Sequence, residues 1–369
     1  MSSTTEITLV LVVVSVACAV PGCFLVLRRL SLVSDAISHV LLFGIVIAYL
    51  IVRDLDSLWL PVAAAGAGLL TVSLVELLQR TKLVKEDAAI GLVFPALFAV
   101  GVILASLYLR NTHLDVDRVM LGQPELATDA RWVIGGVPVK PLWILAGVLA
   151  LNLALAAVFF KELKLTTFDP ALAASLGFRP GLLHYALMTV VSFTAVAAFD
   201  AVGPVLVVGF FVVPAAAAFL LTDRLGIMLL LAGAIGGVGA TLGTQAAVAK
   251  DMNIAGTVAT VLGVLFALAF LFAPGRGLVA QVARRWRQKR EFLETVLTIH
   301  LFQHEGTPAE DEEAKLDGLH EHLSWTPAGV ATVVGRAERH GLVTRSVALL
   351  RLTETGRARA RAVLGELGG

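Results

Sequence analysis

Nine runs of about 20 apolar residues constrain what this chain can fold into. They lie near 9–27, 33–52, 58–78, 88–109, 141–160, 182–200, 204–221, 226–249 and 255–273. About 20 apolar residues cross a bilayer as a helix, because the hydrocarbon offers backbone groups no partner outside their own segment. The sequence therefore predicts an all-α polytopic membrane protein with about nine transmembrane helices.

The composition changes after residue 275. The whole chain is 57% hydrophobic and 15% charged, whereas a soluble domain carries about 25% charged residues. Residues 1–275 hold 15 basic and 16 acidic residues, and residues 276–369 hold 14 basic and 12 acidic residues with five of the eight histidines. The sequence predicts a transmembrane domain over 1–275, a basic linker over 276–290 and a small soluble domain over 291–369.

Lysines and arginines predict the orientation of the chain, because they are enriched in cytoplasmic loops. One set of alternating loops carries nine of them and the other set carries six. A further basic cluster follows the last run and consists of Arg276, Arg284, Arg285, Arg287, Lys289 and Arg290. With nine spans, the N-terminus is predicted outside and the C-terminal domain in the cytoplasm.

Two polar side chains stand near the start of the second run. Asp35 and His39 are four residues apart, so they share one face of a helix. A carboxylate and an imidazole suit a divalent cation such as Mn²⁺, Zn²⁺ or Fe²⁺, and ionisable groups inside a membrane are costly unless they serve a function. The alternative is a helix start at which Asp35 meets the positive helix end and His39 bonds a neighbouring helix.

A short segment between the fifth and sixth runs has the pattern of a surface helix. Asp169 can cap a helix and Pro170 is tolerated in its first turn, and Gly177 ends the segment. On the cytoplasmic side such a helix can dock on a soluble partner, with Phe168 and Leu172 as its apolar anchors. An ordinary interfacial helix is the alternative.

Three other polar groups receive weaker interpretations. His113, Asp115 and Asp117 follow the fourth run and could form a weak metal-attracting patch, although a solvated loop with nothing bound is favoured. Glu76 is predicted to snorkel or cap at the end of its span, and His184 to lie at the membrane interface.

Known catalytic motifs are absent from the sequence. It contains no Gly-x-x-x-x-Gly-Lys-Ser/Thr nucleotide site, no His-Glu-x-x-His and no Gly-x-Ser-x-Gly. The chain is therefore predicted not to be an enzyme, and any ATP that drives it would be hydrolysed by a separate subunit.

Leu32–Gly44 resembles the segment that opens the second helix in metal-ion permease subunits of ATP-binding-cassette transporters, the manganese/zinc/iron family. Four further segments resemble the family in the same order, covering about residues 1–275: 85–94, 121–122, 167–177 and 203–217. The chain departs from the family at Ser34, where glycine is usual, and at Phe43, where proline is usual. Asp35 and His39 match the family pattern.

The resemblance implies a permease subunit of an ATP-driven importer of Mn²⁺, Zn²⁺ or Fe²⁺ in the bacterial plasma membrane. It implies that Asp35 and His39 contact the ion in transit and that no cofactor is bound permanently. The segment at 167–177 resembles the family's cytoplasmic coupling helix, which implies that Phe168, Asp169, Pro170 and Leu172 meet an ATPase. The other implied partners are a second permease copy or a related permease, an extracellular metal-binding protein and membrane lipid.

The tail has the element order of a winged-helix domain of α+β class. Its periodicity predicts helices over 291–302, about 313–323 and 327–339, strands over 342–347 and 348–352, and a final helix from 353. The string from His340 to Arg357 resembles the DNA-binding domain of iron-dependent, diphtheria-toxin-repressor-type regulators. A membrane-tethered, metal-responsive transcriptional regulator is therefore the alternative function.

Nucleic acid is the less favoured partner of this tail. Arg336, Arg339, Arg345 and Arg351 could meet phosphates. The helix expected to read DNA, 328–335, offers few side chains that can hydrogen-bond bases. A protein-interaction or regulatory role is therefore favoured over sequence-specific DNA binding.

Overall fold

The computed structural model describes residues 3–54, 57, 59–108, 140–346 and 349–367. Within it the chain divides into two compact units, Met1–Gly277 and Leu278–Gly369. The polar loop with His113, Asp115 and Asp117, and the family-like pair Leu121–Gly122, lie outside the described residues.

The first unit is built from helices. They are α1 (Ser3–Leu27), α2 (Ser31–Val52), α3 (Trp59–Arg80), α4 (Glu86–Tyr108), α5 (Lys140–Val158), α6 (Phe160–Phe168), α7 (Pro170–Ser175), α8 (Pro180–Val202), α9 (Pro204–Leu221), α10 (Leu225–Lys250) and α11 (Ile254–Phe272). Among the described residues of this unit, nine helices have the length and apolar composition of membrane spans, and α6 and α7 do not. The nine predicted spans are confirmed.

The narrow boundary between the sixth and seventh spans is a single residue. Gly203 separates α8 from α9 with a φ of +77°, and Pro204 occupies the first turn of α9. The left-handed conformation favours glycine and the fixed φ of proline suits a helix start. The two spans therefore follow each other with almost no loop.

Helix α1 lies at the centre of the bundle and is the most buried of the described spans. It packs against α5, α8, α9 and α10. Its apolar side chains, including Leu11, Val14 and Phe24, are buried. At the periphery, α4 and α11 leave most of their side chains uncovered, which suits contact with lipid or with another membrane chain.

Two glycines fix the position of α2, the helix that carries Asp35 and His39. A Cβ atom on Gly44 would lie 2.7 Å from the Cα of Ala64 on α3. A Cβ atom on Gly101 of α4 would lie 2.9 Å from the Cα of Phe43. Helix α2 is unbroken at Phe43. The absence of these Cβ atoms lets α3 and α4 approach α2 closely.

Side-chain contacts join helix ends that the sequence assigns to the cytoplasmic side. Arg28, after α1, donates hydrogen bonds to Thr167 (3.1 Å) and Thr166 (3.0 Å) of α6. Arg276, after α11, donates to the Phe219 carbonyl oxygen near the end of α9 at 2.7 Å. These contacts agree with the predicted alternation of nine spans.

The second unit is a small helical body with one sheet. Its elements are α12 (Leu278–His304), α13 (Glu310–Glu313), α14 (Leu319–His322), α15 (Pro327–Arg339), β1 (Val343–Ser346), β2 (Leu349–Leu352) and α16 (Glu354–Leu367). The strands are antiparallel, with Val343 opposite Leu352. Leu297, Val334 and other apolar side chains form a core of its own. Residues 278–290, predicted as part of a basic linker, form the first half of α12.

The single helix predicted over 313–323 is wrong. Two four-residue helices, α13 and α14, replace it. Between them the Ala314 carbonyl accepts a hydrogen bond from the Leu350 N–H at 3.0 Å, and Lys315 forms a bridge with Leu349. Pairing with β2 withdraws these backbone groups from a helix, so the helix cannot continue through them.

Replacing Gly44 with leucine should destabilise the membrane unit. The added side chain meets the backbone of α3, and overpacking of this kind costs about 1–3 kcal/mol. Thermal unfolding of the purified chain in detergent measures the change. Gly66→Leu is the control, because a Cβ atom there meets nothing within 4 Å. Equal melting temperatures for the Gly44 and Gly66 variants would contradict the close packing of α2.

Candidate functional site

Asp35 and His39 face each other along one side of α2. The Oδ1 atom of Asp35 lies 3.3 Å from the Nε2 atom of His39, and their side chains are 40% and 33% exposed. The predicted four-residue pairing is therefore present. Polar groups exposed on an apolar span need a polar or protein neighbour, because lipid solvates them poorly.

The imidazole of His39 is held by two aromatic rings of α4. The ring centroid of Phe94 lies 5.8 Å away in a stacked arrangement, and that of Phe98 lies 5.9 Å away in an edge arrangement. Such contacts restrict the ring without offering a hydrogen bond. His39 is consequently oriented with Nε2 toward Asp35.

The serines around this pair are satisfied within their own helix. Ser34 donates its hydroxyl to the Ser31 carbonyl at 2.8 Å, and Ser38 donates to the Ser34 carbonyl at 2.9 Å. Both Ser34 and Ser38 are buried. The polar surface at this level of α2 therefore consists of the carboxylate and the imidazole.

A largely apolar cavity with a few polar side chains opens beside the start of α2. It has a volume of about 200 Å³, and its lining includes Val33, Ala36, Glu76 and His184. Arg80 donates a hydrogen bond to Oε1 of Glu76 at 2.9 Å, and the Tyr185 hydroxyl donates to Oε2. Glu76 and His184 thus share one cavity, although the sequence analysis predicts a separate interfacial position for each. Because the two residues are far apart along the chain, no local pattern indicates that they line the same cavity.

The segment after α6 has the predicted local structure. Oδ1 of Asp169 accepts a hydrogen bond from the Leu172 N–H at 2.9 Å, which caps the N-terminus of α7. Pro170 occupies the first turn of α7. Beyond its end Gly177 takes a φ of +87°, which ends the helix and turns the chain toward α8.

An apolar patch covers the outer surface of this segment. We call Phe168, Leu172, Leu176 and Phe178 the coupling patch. All four side chains are exposed, and Leu176 most of all at 61%. Contiguous exposed apolar side chains mark surfaces that meet a partner or a membrane.

Arg28 ties this segment to the membrane helices. Its hydrogen bonds to Thr166 and Thr167 fasten the end of α6 to the corner between α1 and α2. Burial lowers the pKa of the Arg28 guanidinium, yet arginine stays charged at neutral pH because its ordinary pKa is so high. The corner is three residues from the start of α2, the helix that carries Asp35 and His39.

Two curated proteins resemble this chain over most of their length. The zinc transport system membrane protein TroD of Treponema pallidum is 48% identical over 98% of this chain and 99% of its own. The manganese transport system membrane protein MntD of Bacillus subtilis is 45% identical over 76% of this chain and 95% of its own. The match to TroD thus extends through the second unit.

A solved structure and a protein family also match this chain. The solved structure of PsaBC from Streptococcus pneumoniae in complex with Fab matches with a TM-score of 0.63 and 27% identity, covering 75% of this chain and 94% of that chain. Residues 2–273 match the family described as the ABC 3 transport family. This chain therefore belongs to the ABC 3 transport family.

Proposed function

We propose that this chain is the transmembrane permease subunit of an ATP-driven importer of divalent transition metal ions in the bacterial plasma membrane. Family membership supports this function, as do the names of its relatives, a zinc and a manganese transport protein. The chain is a transport component and not an enzyme, and separate ATPase subunits hydrolyse the ATP. The feature that carries the proposal is the Asp35–His39 pair on an apolar span.

Asp35 and His39 bind the ion in transit. A carboxylate and an imidazole serve Mn²⁺, Zn²⁺ and Fe²⁺ alike. Their 3.3 Å separation is close to the spacing of about 3.3 Å expected for neighbouring tetrahedral zinc ligands. Two donors from one chain leave the coordination shell incomplete, which lets the ion leave again.

A second permease, identical or related, completes the pathway. The exposed edges of Asp35 and His39 on one chain need a polar partner within the membrane. A facing pair on the second chain would bring the donors to four while keeping lipid away. An extracellular metal-binding protein delivers the ion to the outer side of this pathway.

On the cytoplasmic side, the cavity beside α2 holds the next carboxylate and imidazole. Glu76 and His184 line it, and they supply the same donor types as Asp35 and His39. We place the ion's inward exit here. The hydrogen bonds from Arg80 and Tyr185 keep the Glu76 carboxylate from binding the ion tightly.

Removing either donor should abolish transport. Asp35→Ala or His39→Ala should lower cellular uptake of radioactive zinc or manganese to the level of cells without the transporter, while the amount of protein in the membrane stays unchanged. Adding unlabelled Mn²⁺, Zn²⁺ or Fe²⁺ as a competitor ranks the three ions by the transporter's preference for them.

Asp251→Asn is the matched control for the loss of a carboxylate. Asp251 ends α10 in the left-handed conformation, which asparagine tolerates. We expect this variant to transport like the unaltered chain. Normal uptake by both Asp35→Ala and His39→Ala would refute the role of the pair.

The coupling patch docks on the ATPase. Phe168 and Leu172 are the apolar anchors, Asp169 caps the helix that presents them, and Pro170 starts it. The Arg28 hydrogen bonds give a short mechanical connection from this helix to the start of α2. Movement of the ATPase would thereby reach the Asp35–His39 pair.

Charging the patch should uncouple the two subunits. Phe168→Glu combined with Leu172→Glu buries unpaired carboxylates in the interface, which is costly. Copurification of the ATPase should be lost, together with metal-dependent ATP hydrolysis. The control is Leu83→Glu, because Leu83 is 87% exposed in another loop predicted on the same side. An ATPase that still copurifies with the double variant would contradict the docking role.

The Asp169 cap can be tested separately. Asp169→Ala should destabilise α7 by about 1 kcal/mol, and hydrogen exchange of the amides over 171–175 should become faster. Asp169→Asn keeps an oxygen acceptor and should preserve slow exchange. Identical exchange in all three proteins would show that the side chain does not cap the helix.

The second unit is a cytoplasmic regulatory module of winged-helix type. We assign residues 1–275 to the metal permease domain and 291–369 to this module, with the basic linker 276–290 formed largely by the first half of α12. The support is its order of helices followed by the β1–β2 hairpin and α16. The transcriptional alternative has less support. Of the four arginines predicted to meet phosphates, Arg336 lies 3.7 Å from the buried Glu294 carboxylate and is only 17% exposed.

A further inference from the structure

The second unit contains its own group of metal-type ligands. His300 and His304 lie one turn apart on α12, and Glu313 ends α13. One ligand atom from each residue can be chosen so that all three lie within 4.8 Å of one another. The sequence gives no direct signal of this group, since the Glu313 carboxylate reaches the histidines only through the fold of the unit.

The spacing of these atoms suits a small cation. Nε2 of His300 lies 3.3 Å from Oε2 of Glu313, and the ring centroids of His300 and His304 are 5.0 Å apart. Zinc binds nitrogen and oxygen at about 2.0–2.2 Å in tetrahedral sites, so its ligands stand about 3.3 Å apart. A modest rotation of the His304 ring would therefore complete the set.

The Glu313 carboxylate lacks a well-formed hydrogen bond at one oxygen. Its Oε2 atom is buried and accepts no hydrogen bond of good geometry among the described residues. Two imidazole nitrogens nevertheless lie close to it, Nε2 of His300 at 3.3 Å and Nδ1 of His322 at 3.1 Å. A buried carboxylate oxygen of this kind calls for a partner, and a divalent cation would supply one.

The rest of the unit covers this group incompletely. The side chains of His300 and Glu313 are 13% and 19% exposed. The group is partly shielded from water and still accessible to an ion.

We propose that His300, His304 and Glu313 bind a divalent transition metal ion, best matched by zinc. His322 is a positioning residue that holds the Glu313 carboxylate in place, as groups behind metal ligands commonly do. Three protein ligands leave a fourth position open to water, unlike the four protein ligands of a structural zinc site. Binding would fasten α12 to the segment that carries α13 and α14.

The site gives the second unit a way to sense the imported ion. This regulatory role rests on the proposed function, because it needs a metal ion of the transported class on the same side of the membrane. The ion-binding claim does not rest on it. Filling of the site when imported metal accumulates would change the α12–α14 region and reduce further transport.

Zinc titration of the full-length chain in detergent tests the site. We choose the Asp35→Ala/His39→Ala background, so that the membrane pair contributes no binding, and strip the protein with a chelator. Competition with a coloured zinc chelator should then show one zinc ion per chain. The further change His300→Ala/His304→Ala should abolish this binding. His320→Ala should retain it, because His320 lies on α14 outside the group.

Two further single variants distinguish the loss of a zinc ligand from misfolding of the chain. Glu313→Gln keeps the shape of the side chain and should weaken zinc binding by at least about tenfold, with an unchanged melting temperature in the absence of zinc. His322→Ala should weaken it by about 10- to 100-fold. Co²⁺ in place of zinc should give visible absorption bands that disappear in the His300→Ala/His304→Ala variant.

Specific outcomes would overturn the proposal. They are the absence of zinc binding in the Asp35→Ala/His39→Ala background, or equal binding by the parent and the His300→Ala/His304→Ala variant. Failure of the transport function gives a different result, since uptake by the unaltered chain would be absent while the zinc titration stands.

Discussion

The cost of placing a carboxylate and an imidazole on an apolar helix governs this structure. The backbone groups of a membrane span form hydrogen bonds within the helix. Its polar side chains are therefore the groups that need a partner elsewhere. Asp35 and His39 are such groups, and both remain partly exposed on α2. The residues around the pair leave its carboxylate and imidazole as the polar groups at this level of α2. Ser34 and Ser38 bond back to α2, and aromatic rings of α4 restrict the imidazole.

The position of this pair depends on close helix packing and not on a network of hydrogen bonds. Helix α2 has no side chain at Gly44, where α3 approaches, and α4 has none at Gly101, where it meets Phe43. These contacts hold the middle of α2, at Phe43 and Gly44. Near its first turn the Arg28 hydrogen bonds connect the preceding corner to α6 and the capped helix α7. The Asp35–His39 pair and the exposed apolar side chains around α7 thus belong to one connected body.

The sequence predicts those features that depend on local pattern. The nine spans follow from run length, because only a helix of about 20 residues crosses the hydrocarbon. The Asp35–His39 contact follows from the period of a helix, and the start of α7 follows from the capping behaviour of Asp169 and Pro170. In each case the residues that interact are four or fewer positions apart along the chain.

Features that depend on distant residues could not be predicted from the sequence. Tyr185 and Glu76 are 109 residues apart, and Arg28 and Thr167 are 139 apart, so no local pattern marks either contact. The helix predicted over 313–323 was wrong because strand β2 takes the backbone groups at Ala314 and Lys315. The same departure brings Glu313 beside His300, which is why this group of ligands became visible only in the fold.

Anomalous X-ray scattering from crystals of the permease grown with Mn²⁺ or Zn²⁺ tests the role of Asp35 and His39 most directly. We expect an anomalous peak within coordination distance of both side chains, at about 2.0–2.2 Å for zinc. The peak should disappear in crystals of the His39→Ala variant. A transport-competent protein whose membrane-embedded peak lies away from both side chains would contradict their role in binding the ion.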